Sequence, residues 1–243
     1  MFRTFLDTLG FLTLLAPARV IPEERMARCM AHMIPVGLTL GLAVVLPFWL
    51  GLFSHAPWVQ AFCMVGLSAV LTRGLHFDGL ADVADAVTTH ADPTRFWTVI
   101  KDSRAGAFGV MALVLALVGQ VILFQELSSA GEYAAIVWAF ALGRAACVAL
   151  GYGVRHIVRP GLGKLYIDGA TPPVAMATVA ATFVLGAFMA GPLPALVAMA
   201  AAGVALWPLQ RLAKHVDGAN GDFLGAAIIL GELAAGLGIA LTV

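Results

Sequence analysis

Long apolar stretches dominate the chain, and short polar stretches separate them. Seven of the apolar stretches reach about 20 residues, the length that an α-helix needs to cross the hydrocarbon core of a bilayer. Residues 2–15 are too short to span and carry charge, so they are predicted to lie flat at the membrane surface as an amphipathic helix. The pattern predicts membrane-spanning helices over residues 34–53, 56–75, 105–124, 132–151, 173–190, 192–210 and 223–243.

The fold class that this pattern predicts is all-α, a polytopic membrane helix bundle in which residues 1–243 form a single domain. The composition agrees, because 61% of the residues are hydrophobic and only 12% are charged. Soluble domains carry about 25% charged residues. The sequence therefore excludes a soluble globular domain, a disordered tail and a basic module that binds nucleic acid.

The charged residues concentrate in alternate connections between the spans. All but one of the 14 basic residues lie in residues 1–33, 72–104, 155–171 and 211–222, and 11 of the 14 acidic residues lie on the same side. Basic loops face the cytoplasm in membrane proteins. We therefore expect a multi-pass protein of the cell inner membrane with a cytoplasmic N-terminus and a chemically rich cytoplasmic face.

Three carboxylates stand close together after the second predicted span. Asp78, Asp82 and Asp85 are spaced by four and three residues, so on a helix they share one face. Like charges at this distance repel, and a bound divalent cation relieves the repulsion; all-oxygen ligands favour Mg²⁺ or Mn²⁺. The alternative is a solvated helix face. His76 could be a general base, a metal ligand or a hydrogen-bonding wall.

A second polar segment leads into the third predicted span. Its two cations can neutralise an anion, and its glycines allow a phosphate to approach the free N–H groups at a helix N-terminus. Asp102 can complete a metal shell. The alternative is an ordinary basic anchor at the membrane surface. The candidate phosphate-binding residues are Lys101, Ser103, Arg104, Gly106 and Gly109.

Three further acidic residues have candidate roles. Asp222 opens the last predicted span after a glycine-rich turn and is either a metal ligand or a helix cap, and Asp168 is a weaker copy with the same alternative. Within the predicted spans stand Arg144 and Glu232. Buried charges normally face the interior of a bundle and pair, so we predict that these two form an intramembrane charge pair.

Taken in order, these segments resemble the cobalamin-5′-phosphate synthase family, the adenosylcobinamide-GDP ribazoletransferases. The resemblance runs from near residue 11 to the C-terminus, and the first two motifs are specific. Phe77 replaces a usual aliphatic residue, residues 14–17 are looser than the family's entry segment, and Ala86 precedes Val87 where a glycine is common. The matching residues are 11–13, 34–37, 74–86, 101–110 and 221–226, with Glu232.

The resemblance implies a Mg²⁺-dependent membrane enzyme of late cobalamin biosynthesis. Such an enzyme joins adenosylcobinamide-GDP to α-ribazole or its 5′-phosphate and releases GMP, with these small molecules and the lipid bilayer as its partners. Asp78, Asp82 and Asp85 would hold one or two metal ions, with Asp102 or Asp222 as further ligands. Lys101 and Arg104 would hold the pyrophosphate. His76 or a metal-free carboxylate such as Asp82 would take the hydroxyl proton.

Two other functions have similar sequence signals. A CDP-alcohol phosphotransferase uses related metal chemistry, but its motif needs an Asp where this chain has Leu75 and an Arg where it has Asp82. A secondary transporter would carry its site near the bilayer midplane on broken helices, whereas the acidic residues here lie at the surface. The sequence leaves the oligomeric state open.

Overall fold

A computed structural model describes residues 1–242. Its secondary structure is helical, and the only β-type pairing in those residues is an isolated bridge between Val158 and Ala219. The predicted all-α class is thus confirmed. The helices in chain order are α1 (Phe2–Leu12), α2 (Glu23–Cys29), α3 (Met33–Trp49), α4 (Pro57–Leu71), α5 (Leu75–Val87), α6 (Pro93–Val99), α7 (Ala107–Ser129), α8 (Tyr133–Val154), α9 (Leu162–Ile167), α10 (Pro172–Met189), α11 (Pro192–His215) and α12 (Gly221–Ala240), with a 3₁₀ turn over Met30–His32.

Six helical segments in the described residues are long and apolar enough to cross a membrane. They are the continuous segment Glu23–Trp49 and the helices α7, α8, α10, α11 and α12. Large apolar side chains such as Leu115, Phe188 and Val204 project from the outer faces of α7, α10 and α11, as lipid-facing surfaces require. The protein is therefore a multi-pass membrane bundle, with seven spans if α4 and α5 are counted as one.

The second predicted span ends earlier than the sequence pattern indicated. α4 stops at Leu71, and α5 leaves it at an angle of 88°. Arg73 and Gly74 both have positive φ, 55° and 67°, and Gly74 adopts this left-handed conformation without steric cost. α4 has 15 residues and is about 22 Å long. Because α5 leaves it nearly at a right angle, α5 lies across the end of the bundle and does not extend the span.

The core of the bundle is α8, which is buried along almost its whole length. α3, α10, α11 and α12 pack around it. A Cβ on Gly143 would lie only 2.7 Å from the Ile228 carbonyl oxygen, and one on Gly231 would lie 2.8 Å from the Gly143 Cα. Glycines at these positions therefore let the backbones of α8 and α12 approach closely.

One end of the bundle carries the long connections, residues 1–32, 72–106, 155–171 and 216–220, and we call it the loop-rich end. Trp97 Nε1 donates a hydrogen bond to the Val216 carbonyl oxygen at 2.8 Å, and Arg159 N donates to the Ala219 carbonyl oxygen at 2.9 Å. These bonds tie three separate connections together. The N-terminal segment is helical over α1, while its position at a membrane surface stays a prediction.

Candidate active site

The carboxylate helix α5 lies between two other candidate segments at the loop-rich end. It packs against both α7 and α12. A Cβ on Gly79 would lie 2.8 Å from the Asp222 carbonyl oxygen, and a Cβ on Gly225 would lie 3.3 Å from the His76 Cα. The glycines thus allow the start of α12 to touch α5, and the fold brings together segments that are far apart in the sequence.

Four carboxylates lie near one another at this junction. Asp78 is exposed, whereas Asp82 and Asp85 are partly buried. Burial, and then repulsion by Asp222, Asp78 and Asp85, raises the pKa of Asp82 to about 6. Asp222 Oδ2 accepts a hydrogen bond from Asn220 Nδ2 at 2.6 Å. The site therefore concentrates negative charge where α5 meets α12.

Asp85 connects this cluster to the start of α7. The backbone N–H groups of Gly106 and Gly109 donate to its two carboxylate oxygens at 2.6 and 2.7 Å. A Cβ on either glycine would collide with the same carboxylate. The amides that the sequence assigned to phosphate binding are thus bonded to Asp85 in this structure, and the two glycines are needed to make room for it.

Gly109→Ala is expected to separate α5 from α7, because its methyl group would displace the Asp85 carboxylate from the α7 N-terminus. Losing such a cap costs about 1 kcal/mol, and displacing packed atoms adds about 1–3 kcal/mol. The melting temperature of the detergent-purified protein should fall. Gly66→Ala is the matched control, since nothing lies within 4 Å of a Cβ there. Equal melting temperatures for the two variants would contradict the role of Asp85 as a cap.

The cationic loop before α7 lies exposed beside Asp85. Lys101, Ser103 and Arg104 are all exposed, and Arg104 donates to the Asp102 carboxylate at 2.7 Å. The side-chain and backbone hydrogen bonds from Arg104 lower the pKa of Asp102 to about 2. Exposed ion pairs contribute little to stability, so Arg104 can exchange this carboxylate for another anion.

His76 lies on a different face of α5 from Asp78. The residue is only 3% exposed, and it lines a cavity of 220 Å³ together with Tyr166 and Asp222. Its Nε2 atom has no hydrogen-bond partner in the described residues. Of the three roles that the sequence left open for His76, this position agrees best with a residue in a cavity wall that forms a hydrogen bond.

The carboxylate cluster has the chemistry of a site for a hard cation. No three His, Cys, Asp or Glu side chains in residues 1–242 already stand in the geometry of a metal site. The available donors at the junction are carboxylate oxygens, which Mg²⁺ and Mn²⁺ prefer. Burial is the larger cause of the raised pKa of Asp82, and repulsion by its acidic neighbours adds to it; a divalent cation would relieve that repulsion.

The structure brings the two intramembrane charges, Arg144 and Glu232, into contact. The Arg144 guanidinium forms an ion pair with the Glu232 carboxylate, and both residues are buried. Gln120 Nε2 from α7 donates to the other Glu232 oxygen at 2.7 Å. Sequence reasoning missed Gln120, although an amide in the middle of an apolar span is a signal for such a partner.

Known proteins are similar to this chain over most of its length. A family profile described as cobalamin-5-phosphate synthase matches residues 4–240. A protein named adenosylcobinamide-GDP ribazoletransferase from Nitratidesulfovibrio vulgaris (strain DSM 19637 / Miyazaki F) is 46% identical over 98% of this chain and 94% of its own length. The chain belongs to the cobalamin-5-phosphate synthase family.

More distant relatives carry the same name. The proteins named adenosylcobinamide-GDP ribazoletransferase from Citrobacter koseri and Klebsiella pneumoniae are each 34% identical to this chain. The matches cover 82% and 96% of this chain, and 81% and 97% of the relatives. No solved structure shows a significant match.

Membership of the cobalamin-5-phosphate synthase family confirms the resemblance that the sequence motifs indicated. It identifies the chain as a transferase of cobalamin synthesis and does not favour a phospholipid enzyme or a transporter.

Neither Asp222 nor Asp168 is the N-cap of a helix, which was the alternative role for both. The N-cap of α12 is Asn220 and not Asp222, while Asp168 forms an ion pair with Lys164 at 2.7 Å.

Proposed function

We propose that this protein joins adenosylcobinamide-GDP to α-ribazole or its 5′-phosphate and releases GMP. One observation carries the proposal. The carboxylates of α5, the acidic start of α12 and the cationic loop before α7 meet at the loop-rich end of a chain that is 46% identical to a named ribazoletransferase.

The loop-rich end is proposed to face the cytoplasm from the inner membrane. Of the 14 basic residues, 11 lie in the connections of this end, and Arg211 and Lys214 lie in α11 just before residues 216–220. The positive-inside rule assigns such connections to the cytoplasmic side. The N-terminus would then be cytoplasmic. In this orientation the site opens to the compartment that contains nucleotides.

The proposed reaction is a phosphoryl transfer. The 3′-hydroxyl oxygen of the ribazole attacks the phosphorus that carries the cobinamide, and a new P–O bond forms. The bond from this phosphorus to the bridging oxygen breaks, GMP leaves with that oxygen, and the hydroxyl proton passes to a base. Such a transfer depends mainly on positioning and on stabilisation of negative charge.

The residues at the junction divide these tasks. Asp78, Asp82 and Asp222 would hold Mg²⁺ or Mn²⁺, with Asp85 and Asp102 as further ligands; each Asp85 oxygen keeps a lone pair beyond its amide bond. A bound cation would neutralise charge on the pyrophosphate.

The basic loop before α7 has a separate task. Lys101 and Arg104 would bind the pyrophosphate, with Ser103 beside them in the same exposed segment. We assign the hydroxyl proton to a carboxylate of the cluster that is free of metal, with His76 as the alternative acceptor.

Removal of divalent cations is expected to abolish turnover, because three or more neighbouring carboxylates would repel the substrate pyrophosphate. EDTA treatment of the purified protein should stop GMP release, and added Mg²⁺ or Mn²⁺ should restore it. Ca²⁺ is a useful comparison, since it binds oxygen ligands at longer distances. Full activity in EDTA would contradict the metal assignment.

The proposed function is tested with purified protein, adenosylcobinamide-GDP and α-ribazole 5′-phosphate, with GMP release as the measurement. We expect GMP to form in equal amounts with the joined product and only when both substrates are present. A reaction without the acceptor measures hydrolysis and serves as the control. Uptake of either compound into proteoliposomes without any cleavage would contradict the proposal and favour a transporter.

A further inference from the structure

A cavity lies beside the carboxylates, and residues of α1, α3, α5, α8, α9 and α12 line it. Its volume is 220 Å³. Most of its wall is apolar, and it includes Leu224, Ile228 and the aromatic rings of Phe11 and Tyr166. These two rings stack on each other with their centroids 5.3 Å apart. The cavity therefore offers flat aromatic and aliphatic surfaces directly behind the proposed metal site.

One residue of this wall has a buried polar atom without a partner. His76 is 3% exposed, yet its Nε2 atom has no hydrogen-bond partner in residues 1–242. Buried polar groups are almost always paired in folded proteins. An unpaired group in the wall of a cavity therefore points to a ligand that supplies the missing partner.

We propose that this cavity binds the aromatic base of the nucleoside acceptor, and that His76 Nε2–H donates a hydrogen bond to the free ring nitrogen of that base. The inference rests on the proposed function, in which the acceptor is α-ribazole. The base of α-ribazole is a dimethylbenzimidazole, a fused pair of flat rings with two methyl groups and one ring nitrogen left to accept a hydrogen bond.

Size and polarity distinguish this base from the other parts of the two substrates. An engineered apolar cavity of about 150 Å³ binds benzene, so 220 Å³ suits a fused two-ring base and is far too small for a corrinoid macrocycle. Guanine presents several donors and acceptors, and apolar walls would leave most of them unpaired at high cost. A benzimidazole presents a single acceptor, which matches the His76 nitrogen.

The position of the cavity also fits the proposed transfer. Asp222 lines the cavity, and its backbone lies against α5 at Gly79. A base held in the cavity would extend its ribose toward the carboxylate cluster, where the 3′-hydroxyl must react. His76 then keeps its proton to bind the base, and a carboxylate accepts the hydroxyl proton.

The decisive experiment changes one atom of the acceptor and one side chain of the protein. GMP release is measured with α-ribazole 5′-phosphate and with its indole analogue, in which C–H replaces the free ring nitrogen. For the unchanged protein we expect kcat/KM to be about tenfold higher with the benzimidazole, as for one lost hydrogen bond. His76→Phe should bring this ratio to about one, and His76→Gln, whose amide N–H reaches a similar position, should keep a preference.

Each other outcome overturns the inference. If His76 accepts the proton or only supports the fold, His76→Phe will lower kcat for both acceptors equally and leave their ratio unchanged. A ratio of about one in the unchanged protein would also contradict the hydrogen bond. If the unchanged protein releases no GMP with any acceptor, the proposed function itself fails, and the inference fails with it.

A second variant tests the cavity without changing His76. Cys147 is buried in the cavity wall, and Cys147→Leu would fill part of the space. We expect a severalfold higher KM for α-ribazole 5′-phosphate with an unchanged KM for adenosylcobinamide-GDP. A KM that rises only for adenosylcobinamide-GDP, or for neither substrate, would overturn the assignment of the cavity to the acceptor.

Discussion

Asp82→Asn is expected to lower the rate of GMP release by about a thousandfold while the protein still accumulates in the membrane. Asp82 is the carboxylate whose pKa is raised to about 6 by burial and by its three acidic neighbours. The neutral amide would weaken cation binding and remove charge stabilisation at the reacting phosphate. Steady-state GMP release, normalised to the protein content of purified membranes, measures the effect.

Asp217→Asn is the matched control for this prediction. Asp217 is an exposed residue at the same end of the bundle, and its backbone has a φ of 51°, which Asn tolerates well. The same loss of charge at this position should leave turnover near that of the unchanged protein. Near-normal turnover in Asp82→Asn, or an equal loss in both variants, would contradict a metal-binding role for Asp82.

Glu232→Gln is expected to destabilise the bundle by about 3 kcal/mol, because it leaves the Arg144 charge buried without a counter-charge. Arg144 is fully buried in the central helix, and its Nε and one terminal nitrogen have no other partner in the described part of the chain. The melting temperature in detergent should fall, and more of the protein should aggregate during purification.

Two further variants separate charge pairing from packing at Glu232. Glu126→Gln makes the same chemical change at an exposed position of α7, and we expect little change in melting temperature. Replacing Arg144 and Glu232 together by Met removes both charges and should recover much of the loss, as for other buried pairs. A double variant less stable than Glu232→Gln would show that the contact does not act as a charge pair.

The sequence predicted those parts of the site that depend on local periodicity. The spacing of Asp78, Asp82 and Asp85 placed three carboxylates on one helix, and α5 contains all three. Helical periodicity depends only on residues within a few turns of each other, so one segment was enough. The predicted contact between Arg144 and Glu232 came from a general requirement of low-dielectric surroundings, which allow few unpaired charges.

The parts that depend on contacts between distant segments could not be derived in this way. Gly106 and Gly109 were interpreted as phosphate-binding residues. Nothing in the neighbouring sequence indicates that their backbone N–H groups donate to the Asp85 carboxylate. The end of α4 was placed too late because Leu75 continues the apolar pattern across the turn at Gly74. The cavity beside His76 could not be predicted for the same reason, since residues of six separate helices form its wall.

The dependence of the site on α12 has a consequence for biosynthesis of the protein. Asp222 and Glu232 both lie on this helix, which follows the others in the chain and packs against the central helix α8. A nascent chain that has inserted only α1 to α11 would hold Arg144 without its counter-charge and α5 without its acidic partner. Insertion of α12 therefore supplies both partners in one step, and we expect chains that lack it to be inactive, poorly packed and open to membrane proteases.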